Sequence, residues 1–118
     1  MGTLSRQFAR ASSTARNGSS FSPLTIQLVW NKARTAPGCD PNLRRLDACG
    51  AFIDRAKYGD TTSKTGTGWE IDHVLPVSRG GSDDLANLQP LQWSNNREKG
   101  DSPFLMPSQY AAVVASRN

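Results

Sequence analysis

Apolar residues recur at helical spacing at two places in this chain and alternate with polar ones at another. Ile26, Val29, Trp30 and Ala33 fall on one helix face. Ser22-Pro23 opens that predicted helix, because serine caps an N-terminus and proline suits the first helical position. Pro37-Gly38 closes it. Met106, Tyr110, Val113 and Val114 form a second stripe, which predicts a packing helix over about 103–116. Between the two stripes, Trp69 to Val74 predicts a strand, with Glu70 and Asp72 on one of its faces. Asn87 to Leu91 predicts the returning strand, in which Pro90 marks an edge or a bulge. Leu75 to Ala86 is the connecting loop, with Gly80-Gly81 at its bend. Trp93 to Lys99 predicts a helix of about two turns, stopped by Gly100.

The rest of the pattern is weaker. Asp40 to Arg45 reads as a loop, and Cys49 to Arg55 as a short strand with Phe52 inward. Tyr58 to Gly68 is dense in Gly, Thr and Ser and reads as a mobile loop. Residues 1–20 are rich in Ser and Arg, contain no acid and offer little apolar surface to offset ordering entropy, so disorder is expected there. The division that follows is a basic arm over 1–20 and one domain over 21–118, since 118 residues support a single core.

Charge adds direction. The formal net charge is +4. Residues 1–39 hold five basic residues and no acid, whereas 40–118 hold nine basic and ten acidic residues. The positive excess therefore sits in the N-terminal third, where Arg6, Arg10 and Arg16 are candidate phosphate contacts. A solvated tail is the plainer reading of that charge. No apolar run approaches the length that spans a bilayer, so no membrane partner is expected. The arm lacks the apolar stretch of a secretory signal, and Arg6 stands where myristoylation needs Ser or Thr. Its composition does fit mitochondrial targeting, which stays open as an alternative. Cys39 and Cys49 do not make a disulfide framework and are expected to be reduced. One histidine and two cysteines are too few ligands for a structural zinc, which wants four.

The chemistry-bearing residues cluster between Trp69 and Asp101. His73, the only histidine, follows Asp72 directly. Asn87 comes fourteen residues after His73, and Asn96 nine after that. Around them stand Asp72-His73-Val74-Leu75-Pro76, the Gly-Gly turn, Asn87-Leu88-Gln89-Pro90-Leu91, and Asn96 to Lys99 in an N-x-x-K pattern. This stretch resembles the HNH nuclease motif, the ββα-metal finger.

The resemblance implies an α+β fold: a small single domain built on a finger at 69–101, with flanking helices at both ends. It implies metal-dependent hydrolysis of DNA, with His73 as general base, Asp72 and Asn96 as metal ligands, and Asn87 tying down the loop that aims His73. An imidazole is a suitable base near neutral pH. Two oxygen ligands completed by water and phosphate suit Mg²⁺ or Mn²⁺. Lys99, on the same helix face as Asn96, is a candidate phosphate contact or a partner for the helix C-terminus. Arg79 and Arg97 are candidate backbone contacts. Glu70 is either an outer ligand or, more simply, a solvent-facing strand residue.

Three features qualify this. Neighbouring strand residues face opposite sides, so Asp72 and His73 reach one substrate only if the strand ends at His73. Many relatives carry Cys-x-x-Cys where this chain has Gln92 and Asn95, so the finger is expected to be held by packing. Finally, a non-catalytic nucleic-acid-binding module, or a toxin or effector nuclease, would share much of the pattern. Sequence preference, DNA against RNA, and oligomeric state are left open; a bacterial or phage cytoplasmic setting is the expectation.

Overall fold

The structure, a computed structural model, describes residues 12–102. Among the described residues, two α-helices and two small antiparallel sheets make up this α+β domain. Helix α1 spans Pro23–Trp30, and Ser22 caps it, its Oγ accepting the Thr25 N–H at 3.1 Å. The helix stops at Trp30 rather than at Pro37-Gly38. A distant residue sets that end: the Arg45 guanidinium donates to the carbonyls of Asn31 (3.2 Å) and Ala33 (3.0 Å), satisfying backbone acceptors that continued helix would have used.

The freed chain forms strand β1 (Arg34–Thr35), which pairs with β2 (Arg44–Leu46), which pairs in turn with β3 (Phe52–Asp54). Part of the expected 40–45 loop is thus strand. In β3, Ile53 is the inward residue, whereas Phe52, expected inward, is half-buried beneath the Arg44 guanidinium at 5.1 Å. With only three residues in the strand, alternation alone could not choose the face.

The second sheet is a hairpin of β4 (Trp69–His73) and β5 (Leu88–Gln92), in register from Trp69 opposite Gln92 to His73 opposite Leu88. Pro90 faces Ile71. The Ile71 N–H points out of this ladder, donating to Ser13 Oγ at 2.8 Å, so Pro90 sits where the hairpin needs no N–H. Helix α2 (Trp93–Lys99) follows β5 directly and ends at Gly100. The core joins the sheets and α1 through Val29, Trp30, Ala33, Ile53, Trp69, Ile71 and Leu88. Trp30 and Trp69 meet at 5.3 Å between ring centroids, and Tyr58 packs edge-on to Trp69 at 4.9 Å. Lys32, off the apolar stripe, ties α1 to the hairpin by donating to the carbonyls of Leu85 and Leu88.

Where the Cys-x-x-Cys pair was missing, the finger is held by a carboxylate as well as by packing. Asp47 is 1% exposed. Its Oδ1 accepts the N–H groups of Cys49 (2.9 Å) and Ala51 (2.8 Å). Its Oδ2 accepts the Gln92 N–H (2.9 Å) and Asn95 Nδ2 (3.2 Å). Gln92 passes the order on, its Oε1 accepting the N–H groups of Ser94 and Asn95 at the start of α2. Burial raises the Asp47 pKa above the ordinary carboxylate range, against these four bonds. Both cysteines are free thiols, and burial pushes the Cys49 thiol up to about 12.

Residues 12–20 are ordered where composition led us to expect disorder. Thr14 and Ser20 form an isolated antiparallel bridge, and the Ser13 hydroxyl bonds both the Ile71 N–H and the Tyr58 hydroxyl. Polar contacts onto the hairpin edge order this turn in place of apolar burial. Arg6, Arg10 and the 103–116 helix lie outside the described residues. Among the described residues no helix is long and apolar enough to cross a membrane.

Candidate active site

All five residues of β4 are buried, so both of its faces are covered. Trp69 and Ile71 enter the core, and Glu70 and Asp72 face α2. His73 ends the strand, with the Phe21 ring 6.0 Å from its own. Asp72, His73, Asn96 and Arg97 line one cavity of about 300 Å³, together with Ser13 and Gly100. The alternating strand thus presents Asp72 and His73 to the same space.

The loop that follows is pinned by Asn87. Its Oδ1 accepts the Leu75 N–H at 2.8 Å, and its Nδ2 donates to the carbonyls of Leu75 (3.1 Å) and Ser82 (2.8 Å). Gly81 lies so close that a Cβ there would meet the Leu75 carbonyl oxygen at 1.7 Å, so only glycine fits. These contacts bring Asp83 onto the histidine, with Oδ1 2.8 Å from His73 Nε2.

Helix α2 faces the strand with polar side chains. Asn96 Nδ2 donates to Glu70 Oε1 at 2.9 Å, and the Arg97 guanidinium pairs with Glu70 Oε2 at 3.0 Å. Glu70 is 4% exposed, so the solvent-facing reading is replaced: this carboxylate orients Asn96 and Arg97. Lys99 is 3% exposed and donates to Asp72 and to the His73 carbonyl. A side chain so placed has no surface to offer a backbone phosphate, which corrects the expected phosphate contact. Burial raises the Asp72 pKa, opposed by its bonds from Gln89 and Lys99.

The remaining basic candidates divide. Arg97 is half-exposed, stacks its guanidinium 5.5 Å from the Trp93 ring centroid, and lines the cavity. Arg79 is exposed and donates to the Asp101 carbonyl, joining the loop to the end of α2. Arg16 is exposed and comes near the site through its backbone, whose N–H donates to Asp83. Asp83, Glu70 and Asp47 are the polar residues whose part sequence reasoning missed. For Asp83 and Asp47 no local signal existed, because an aspartate in a short loop near glycine reads as ordinary turn chemistry.

Asp72 and Asn96 offer a carboxylate and an amide oxygen to one cavity, donors suited to a hard divalent cation. Because Asn96 donates through Nδ2 to Glu70, its Oδ1 is the acceptor end. Among the described residues no group of three or more His, Cys, Asp or Glu is placed to hold a metal ion.

Residues 49–102 match the family model described as HNH endonuclease, a span that runs from the turn held by Asp47 through β3, the hairpin and α2. No curated protein and no solved structure matches the chain.

Proposed function

Taking the segment 49–102 as an HNH endonuclease segment, we propose that this protein hydrolyses DNA phosphodiester bonds with a divalent metal. The observation that carries the reading is the shared cavity of His73, Asp72 and Asn96 at the end of one buried strand. His73 takes the proton from the attacking water. Asp72 and Asn96 would hold Mg²⁺ or Mn²⁺, whose chemistry when bound is to neutralise charge developing on the phosphate and its leaving oxygen.

The chain's other residues serve that arrangement. Lys99 keeps Asp72 oriented and offsets its buried charge. Glu70 fixes the Asn96 amide so that the oxygen end is the one available to a cation. Asn87 holds the loop against Leu75, which keeps the cavity open beside His73. Arg97, half-exposed at the cavity edge, is placed for a backbone phosphate, and Arg6 and Arg10 are carried forward as basic contacts from the arm. Fixed groups aimed at the reacting phosphate need little reorganisation at the moment of reaction.

The test is cleavage of supercoiled plasmid with Mg²⁺ or Mn²⁺ and with excess chelator. The proposal requires nicked or linear product that disappears with chelator, and Asn96→Ala should raise the metal concentration needed. Undiminished cleavage in chelator would rule the mechanism out. Binding without cleavage under every metal condition would favour a non-catalytic nucleic-acid-binding module.

A further inference from the structure

The geometry points to Asp83 as a positioning residue for His73, held in place by the N-terminal turn; this inference rests on the proposed role of His73 as base. Asp83 Oδ1 is 2.8 Å from His73 Nε2. An ionised carboxylate only accepts hydrogen bonds, so Nε2 must be the nitrogen that carries the proton. That leaves Nδ1 of the neutral ring as the basic nitrogen. A base whose second nitrogen is tied to a carboxylate has both its tautomer and its ring orientation fixed.

Asp83 is itself held from outside the finger. The Arg16 backbone N–H donates to both of its oxygens, at 2.9 and 3.1 Å. Arg16 belongs to the turn whose Ser13 bonds the Ile71 N–H, two residues before His73 on the same strand. Ser13 adopts φ 60, a left-handed conformation that a serine takes only when its surroundings fix it. The chain from Ser13 to Arg16 therefore clamps the strand at one end and the carboxylate at the other. The matched family segment begins at residue 49, so this clamp comes from outside the matched span. Removing residues 12–20 would loosen the base, beyond any loss of positive charge.

Asp83→Ala in the full chain is the test, read three ways. Its side chain is 43% exposed, so the fold should survive, and melting should stay parent-like. On plasmid, kcat should fall roughly tenfold or more, short of or equal to the loss from removing the base, with KM within about twofold. The chain has a single histidine, so its imidazole ¹⁵N spectrum reports one residue. With the ring neutral, the parent should show the proton on Nε2, and the variant should show mixed tautomers. Faster or parent-like cleavage by Asp83→Ala, or a parent proton on Nδ1, would overturn the inference. If His73→Ala retains full cleavage, the proposed function itself fails; if His73→Ala is dead and Asp83→Ala cuts at the parent rate, only the role of Asp83 fails.

Discussion

Lys99 Nζ lies 3.1 Å from Asp72 Oδ2, and both side chains are buried between β4 and α2. A buried ion pair is costly to break from one side, because the remaining charge is left without compensation. Lys99→Met should therefore lower stability by roughly 3–5 kcal/mol, measured by urea denaturation. Parent-like stability combined with weaker DNA binding would return Lys99 to the phosphate-contact role.

Asp47 ties the 49–51 turn to the end of β5 and to α2. Asp47→Ala leaves four donors from three segments without their acceptor: two in the 49–51 turn, one at the end of β5 and one on α2. Hydrogen bonds to charged groups contribute about 1.5–3 kcal/mol each and do not add fully, so the expected loss is at least about 3 kcal/mol. Thermal or chemical unfolding checks it. A loss under about 1 kcal/mol would mean apolar packing alone holds the finger.

The Asp47 partners Gln92, at the end of β5, and Asn95, on α2, explain what the sequence could and could not disclose. The hairpin and α2 were legible because Trp69 to Val74 alternates, Gly80-Gly81 must turn and Gly100 must stop a helix. His73, Asp72 and Asn96 line one cavity, and the resemblance to the HNH motif had already singled out these three residues. The end of α1 was not, because Arg45, a residue from another strand, sets it. Asp47 lies 45 residues from Gln92, and Asp83 reaches His73 across a glycine loop. A lone aspartate gives no hint of such a partner until the backbone is in place. Residues 12–20 misled for the same reason: their order comes from hydrogen bonds to a strand edge, which apolar counting does not register.

Asp54 gives a pH-dependent test. Its carboxylate accepts from Arg44 at 2.7 and 3.0 Å and from the Thr67 hydroxyl, and the Arg44 bond above all lowers its pKa. A lowered folded pKa means that the unfolded chain binds the proton first as pH falls. The stabilisation is thus fully present above the unfolded value of about 3.9 and is lost as pH drops through the folded value. Asp54→Asn should be less stable than the parent at pH 7, and the gap should close below about pH 4. A gap that is the same at pH 7 and pH 3 would show that the ion pair contributes nothing. Asp47 and Asp72, with raised pKa values, act in the opposite sense: protonating them on acidification favours the folded state.

The most direct measurement is the rate at which His73→Ala cuts supercoiled plasmid in Mg²⁺ or Mn²⁺, alongside its affinity for the same DNA. Removing a general base lowers the rate by about 10²–10⁴. On the proposed mechanism the imidazole moves a proton and is not needed for affinity, so binding should stay near the parent value. Cleavage by the variant at the parent rate would contradict the account at its centre.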